Sequence, residues 1–303
     1  LPYVILCVEK IIVSKRTKGI AFIVLSALLF ALMNMFVKLA GDLPVFEKAF
    51  FRNAIAAVIA FIVLIKNKAP MRPTVKGSTK FLIMRTLFGL TGVICNFYAV
   101  SKMVISDSSI LNKMSPFFAV VFAYIFVKEK PKLYQWLILA GAMFGAVFVI
   151  KPSFSNTAFI PALIAFLGGV MAGGAYGCVR KLGLMGESNP FIVFFFSAGS
   201  TLILLPLMII TFKPMTWLQF LYLLLAGVSA ALAQFSITAA YTCAPPKEIS
   251  VYDFSQVIFT SLISIIIFTE TPDVYSVIGY VIIVSMAVVN YLISNRKKPH
   301  CQS

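Results

Sequence analysis

The sequence predicts an all-α polytopic membrane protein, with ten transmembrane helices forming two inverted five-helix repeats around a central cavity. Three observations carry that prediction. The 303 residues are 60% hydrophobic and only 12% charged, against about 45–50% and roughly 25% in a soluble domain. That leaves too little polar surface to coat a soluble core of this size. The apolar residues run in uninterrupted blocks of bilayer-spanning length rather than alternating as barrel strands do. The basic residues sit between those blocks, mostly on one side. A chain with 29 Phe is also the opposite of a disordered one.

Each span is set by about 20 apolar residues between polar or helix-breaking connections. Span 1 (19–40) ends at Gly41-Asp42-Leu43-Pro44, and span 2 (45–65) starts after that proline and ends at Lys66. Span 3 (80–100) follows a basic stretch, and span 4 (105–127) runs to Lys128-Glu129-Lys130-Pro131. Span 5 (133–150) ends at Lys151-Pro152, and span 6 (158–180) at Arg180-Lys181. Span 7 (190–212) opens on Ser188-Asn189-Pro190, and span 8 (216–242) follows Lys213. Span 9 (248–268) stops before Thr271-Pro272-Asp273, and span 10 (274–294) before Arg296-Lys297-Lys298. Proline suits a loop or a first helical turn, where its missing N–H costs nothing. The connections leave no room for a soluble domain, so function lies within the bilayer.

The net charge of +16 follows from topology rather than from nucleic acid, which would want a basic face on a solvated domain. With the N-terminus inside, cytoplasmic segments hold 18 Lys and Arg, including Lys66, Lys68, Arg72, Lys76 and Lys80. The opposite side holds three, Lys102, Lys151 and Lys213. That bias places both termini in the cytoplasm of a plasma or inner membrane. Residues 1–18 are expected as a cytoplasmic extension on the membrane surface, and 295–303 as a basic cytoplasmic tail. The five cysteines (Cys7, Cys95, Cys178, Cys243, Cys301) form no CxxC pair, and the only histidine is His300. Neither a disulfide scaffold nor a metal site is expected.

The halves, 19–151 and 157–294, resemble one another. Glu129-Lys-Pro131-Lys-Leu-Tyr134 matches Glu270-Thr-Pro272-Asp-Val-Tyr275 at an offset of 141, and Val37-Lys38 matches Val179-Arg180 at 142. Pro44 with Phe50 echoes Pro190 with Phe196. A repeat with an odd number of spans enters the membrane from the opposite side in its second copy, so Glu129 and Glu270 are expected on opposite faces. Such a fold can expose a central site alternately to either side.

The stretch Tyr98-Ala-Val-Ser-Lys-Met-Val-Ile-Ser-Asp-Ser-Ser-Ile-Leu-Asn-Lys-Met-Ser-Pro116, continuing to Phe126-Val-Lys-Glu129, resembles the third-to-fourth helix signature of EamA-type carriers. These belong to the drug/metabolite transporter superfamily. Ala240-Tyr241 with Ala244-Pro245, then Phe268-Thr-Glu270-Thr-Pro272, is similar to the second-repeat pattern. The resemblance covers about residues 19–294. It implies a carrier whose cavity is lined mainly by spans 1, 3, 4, 6, 8 and 9. It also implies an organic solute of the kinds that relatives move: amino acids, S-adenosylmethionine, vitamins or nucleotide sugars.

Polar groups deep in lipid either face a cavity or pair with one another. The candidates on the expected lining spans are Asn34, Arg85, Asn96, Asn112, Lys113, Tyr176, Gln234, Tyr252, Asp253 and Gln256. Lys113 and Asp253 each sit about two turns inside a span, entered from opposite faces. They are expected to pair or to contact the two charges of a zwitterionic solute, the alternatives being snorkelling and local capping. Arg85 reads either as a ligand for a substrate anion or gate, or as a snorkelling or structural cation. For Arg52, halfway along span 2, the structural reading is preferred. Glu129 and Glu270 are assigned to the helix N-termini of spans 5 and 10. Gly169, Gly173 and Gly177 read as a close-packing face, and the Phe191–Phe196 run as lipid-facing or interfacial filling rather than a site.

The expected function is secondary-active or facilitative transport of a small-molecule metabolite by alternating access. Protons or a counter-substrate would couple it, with Asp253 as the candidate proton carrier. No GxxxxGK[ST] occurs, so ATP is not hydrolysed by this chain, and no cofactor is implied. A lipid flippase is the alternative. A channel would want a repeated polar ring, and none appears. An enzyme would want paired acids, metal-ligand His or a nucleophile with its base, and one tail His with about one buried carboxylate leaves almost nothing to work with. A monomer and a homodimer are both open.

Overall fold

The computed structural model describes residues 2–128, 132–150, 159–243 and 250–296, and every described element is helical. Long apolar segments in lipid must satisfy their backbone internally, and the helix does so within one segment. In chain order the helices are α1 (Pro2–Leu39), α2 (Val45–Lys66), α3 (Ser78–Lys102), α4 (Ile105–Asn112), α5 (Ser115–Val127), α6 (Leu133–Ile150), α7 (Phe159–Met185), α8 (Asn189–Thr211), α9 (Trp217–Cys243), α10 (Ser255–Phe268) and α11 (Val274–Arg296). A 3₁₀ turn, Ser250–Phe254, leads into α10. Among the described residues, ten stretches are long and apolar enough to cross a membrane, from Thr17–Leu39 to Val274–Ile293. They match the ten expected spans to within a few residues. The helix of span 1 begins further back than expected, because α1 runs unbroken through the segment assigned to a surface extension. Glu129 and the tail from 297 lie outside the described residues.

Two spans differ from the single helices expected of them. Span 4 breaks between Asn112 and Ser115, and span 9 starts as the 3₁₀ turn before becoming α-helical at Ser255. Pro116, in the first turn of α5, accounts for the first break. It has no N–H for the carbonyl of residue 112, and its ring would clash there. The restarts are alike in backbone: Met114 precedes α5 at φ −67°, ψ −16°, and Phe254 precedes α10 at φ −67°, ψ −12°. The stops are alike too. Lys128 and Thr269 end the two helices in the left-handed region, at φ 60° and 53°, conformations rare for residues with a Cβ.

Packing partners are preserved when the halves are exchanged. The α1–α9 contact has its counterpart in α3–α7, the α2–α9 contact in α3–α8, and the contact of α5 with α7 in that of α10 with α1. The α2–α8 and α6–α11 pairs map onto themselves. Aliphatic side chains such as Leu202, Ile210, Ile266 and Val281 cover the outside. That suits a lipid solvent and would be a liability in water.

The glycine face of α7 seats the broken span. A Cβ on Gly169 would come within 2.6 Å of the Leu111 carbonyl oxygen, and one on Gly173 within 2.9 Å of the Ser115 carbonyl and 3.0 Å of the Ala119 nitrogen. These are backbone atoms at the break, so the helices touch main chain to main chain. The Phe191–Phe196 run is not lipid-facing filling: Phe191, Ile192, Val193 and Phe196 are all buried. They face inward because α8 packs along α2 and α3.

Loop Glu187, beyond the end of α7, ties to the loop before α3. Thr74 donates its hydroxyl at 2.8 Å and its backbone N–H at 3.2 Å to Oε1. Burial alone would raise the carboxyl, but the hydrogen bonds from Thr74, with the Ser78 hydroxyl and Val75 N–H nearby, outweigh it and hold the group below the usual glutamate value. The stabilisation is therefore complete above the ordinary pKa and is lost as pH falls through the lower folded value. Melting of the purified protein between pH ~6 and ~3.5 should show an acid limb, and Glu187→Gln should flatten it. Gly173→Ala should destabilise by about 1–3 kcal/mol through overpacking, measured by thermal unfolding in detergent.

Candidate functional site

Between the halves lies a cavity of about 90 Å³, room for several waters. Its wall takes Phe30, Met33 and Asn34 from α1, Arg52 from α2, and Arg85, Gly89, Val93 and Asn96 from α3. Asn112 and Lys113 enter from the break in span 4, Tyr176 from α7, Phe196 from α8, Gln234 from α9 and Gln256 from α10. Eight of the ten residues expected from the sequence thus share one wall. Asn34 and Asn96 are joined directly, the Asn96 amide donating to Asn34 Oδ1 at 3.0 Å. Their adjacency depends on α1 and α3 meeting face to face.

Asp253 stands behind the wall. Lys113 Nζ donates to Asp253 Oδ2 at 2.6 Å, and the two side chains are 6% and 3% exposed. The pair joins the two irregular segments: Lys113 caps α4, and Asp253 lies in the 3₁₀ turn before α10. Both therefore sit at helix interruptions rather than inside continuous helices. Phe117 meets Phe254 edge-on beside them, with ring centroids 6.2 Å apart. A buried pair this close keeps both charges where either alone would be very costly. Tyr252 turns away from the cavity. It meets Tyr291 edge-on at 6.2 Å and packs with the cluster around Ile23 and Ala240.

The sequence reading preferred a structural role for Arg52 and missed Phe196. Arg52 is 2% and Arg85 6% exposed, and neither forms a salt bridge with a carboxylate among the described residues. Arg52 Nη1 donates to Asn53 Oδ1 at 2.6 Å, while the Nε of both arginines has no hydrogen-bond partner. Both guanidiniums lie over the Phe196 ring, with Arg85 Cζ 4.0 Å and Arg52 Cζ 5.7 Å from its centroid, a cation–π arrangement. So Arg52 neither snorkels nor forms a structural ion pair. Its mid-span position was the available signal, since a charge at that depth has only the bundle interior to face.

One turn beyond Asn34 on α1, Lys38 forms an ion pair with Glu270, donates to the Met103 carbonyl at 3.2 Å, and lies 5.0 Å from the Phe268 ring centroid. Glu270 therefore holds the end of α1 rather than the N-terminus of α11. The helix starts only at Val274, too far along for the dipole assignment.

The buried pair invites a double-mutant cycle. Asp253→Asn alone strands a buried ammonium and should cost about 3–5 kcal/mol, whereas adding Lys113→Met should recover much of that loss. Denaturation of the four variants in detergent measures the coupling.

A polar cavity between two similar helical halves can be set beside known proteins. The EamA-like transporter family matches the chain twice, over residues 17–151 and 160–292. The chain is 31% identical to the pseudopaline exporter CntI of Pseudomonas aeruginosa, over 88% of its own length and 93% of that protein's. It is 25% identical to solute carrier family 35 member G1 of Homo sapiens, covering 88% of this chain and 77% of that one. It is 22% identical to an S-adenosylmethionine uptake transporter of Rickettsia bellii, covering 92% and 94%. A solved crystal structure of a protein, 14% identical, aligns over 93% of this chain and 99% of its own with a TM-score of 0.64, which shows a shared fold. With both halves matched, this multi-pass membrane chain belongs to the EamA-like transporter family.

Proposed function

We propose that the protein is a secondary carrier that moves a small organic metabolite across the cell membrane by alternating access between two inverted repeats. The observation that carries this reading is the cavity, whose wall draws on both halves and includes the interruption of span 4 and the first turn of α10. Broken helices at a repeat interface present polar backbone and side chains at membrane depth, where a solute can be held without water. The matched restarts and stops of α5 and α10 support a duplicated unit, and the odd number of spans per unit supports inversion. The named activities of the relatives, export of pseudopaline and uptake of S-adenosylmethionine, agree with an organic solute.

Lys38 and Glu270 act as the outer gate in this reading. Their side chains are 15% and 33% exposed, so the pair is near water and is worth at most about 1 kcal/mol. A weak latch of this kind can open on every cycle. One turn beyond Asn34, it lies in this reading at the end of the cavity opposite the cytoplasm. Both termini are cytoplasmic, and protons or a counter-substrate provide the coupling.

Two measurements test the reading. Lys128→Cys and Thr269→Cys, at matched helix stops, should be labelled by a membrane-impermeant thiol reagent from opposite faces of the membrane; labelling from one face removes the inversion. Counterflow into proteoliposomes, screened over metabolite pools, should show saturable exchange. Glu270→Gln should change the exchange rate severalfold with little effect on melting temperature.

A further inference from the structure

We infer that the cavity binds an organic anion carrying two negative charges, a dicarboxylate or a phosphate monoester, and that Arg52 and Arg85 are its ligands. The inference rests on the carrier reading above and names its substrate class. Of the cations on the cavity wall, Lys113 is neutralised by Asp253. Arg52 and Arg85 have no carboxylate partner among the described residues, yet are nine-tenths or more buried. With both Cζ atoms fixed over one ring, at 5.7 and 4.0 Å from its centroid, the two like charges lie at most about 10 Å apart, close enough to repel in a low-dielectric interior. Folding alone gives no reason to keep two such charges together, whereas an anion between them would offset both.

The surroundings are built for this. Phe196 offers its face to both guanidiniums and orients them. Gly89, one turn beyond Arg85 on α3, leaves open the space that the Arg85 guanidinium fills: a Cβ there would meet Arg85 Nη1 and, at 2.8 Å, Phe196 Cε2. The Nε of each arginine lacks a partner and no described carboxylate engages either guanidinium, a planar group suited to contact with carboxylate or phosphate oxygens. Asn34, Asn96 and Gln256 on the same wall can hydrogen-bond the uncharged part of the solute.

The test uses the purified full-length protein in detergent, with calorimetric titration and melting as readouts. The probes are succinate, glycerol 3-phosphate, the dication putrescine and neutral glycerol. Succinate or glycerol 3-phosphate should bind and raise the melting temperature, and which of them binds tells carboxylate from phosphate. Arg52→Gln and Arg85→Gln should each weaken that binding roughly 10- to 100-fold. Gly89→Ala should weaken it too by displacing the guanidinium with no change of charge, and Arg85→Lys should restore only part. Without ligand, Arg52→Gln and Arg85→Gln should melt no lower than the parent, since each removes an uncompensated charge.

Three results overturn the inference: failure of both anions to bind at millimolar concentration, preference for putrescine or glycerol, or a ligand-free melting temperature lowered by both Gln variants. Each leaves the carrier reading standing. Absence of any counterflow in proteoliposomes would instead count against transport itself.

Discussion

The ion pair between Lys113 and Asp253 is the constraint around which the rest of the structure is arranged. Each residue lies where a membrane-spanning helix is interrupted, and each comes from a different half of the chain. An interrupted helix in lipid leaves backbone groups that only protein or enclosed water can satisfy. Bringing the two interruptions together in one place confines that cost to a single site. The pair joins them, the glycine face of α7 lets the main chain of span 4 approach, and the polar cavity lies in front.

That arrangement links local sequence to function in a few steps. Pro116 stops α4, the stop exposes Lys113, and Lys113 meets Asp253 across the interface of the halves. Within the first half Asn96 meets Asn34, and Arg52 and Arg85 of that half lie over Phe196 of the second. Lys38, paired with Glu270, lies one turn beyond Asn34 on α1. A transporter of this kind needs rigid helices and a limited number of places that can move.

Much of this was legible in the sequence because bilayer physics is blunt. Apolar length sets the spans, and ten such stretches recur among the described residues. Polar residues at depth point to the cavity, as with Asn34, Asn96 and Gln256. What could not be read depends on rotation about helix axes. Arg52 and Phe196 belong to spans that the family resemblance did not assign to the lining, and only the packing of α2 and α8 against α3 turns them inward. Tyr252 failed in the opposite sense: its neighbour Asp253 points to Lys113, so Tyr252 is directed toward Tyr291. The break in span 4 was foreseeable from Pro116, but apolar length alone read through it.

Two uncompensated guanidiniums also have an electrical meaning. In a carrier, an empty site holding two positive charges and a loaded site cancelled by a dianion differ in how they respond to the membrane potential. Each elementary charge that crosses 100 mV changes the free energy by about 2.3 kcal/mol. An inside-negative voltage would draw the empty cationic site back toward the cytoplasm and leave the neutral loaded form nearly indifferent. The same two side chains that hold the cargo would then bias the cycle toward sending it out.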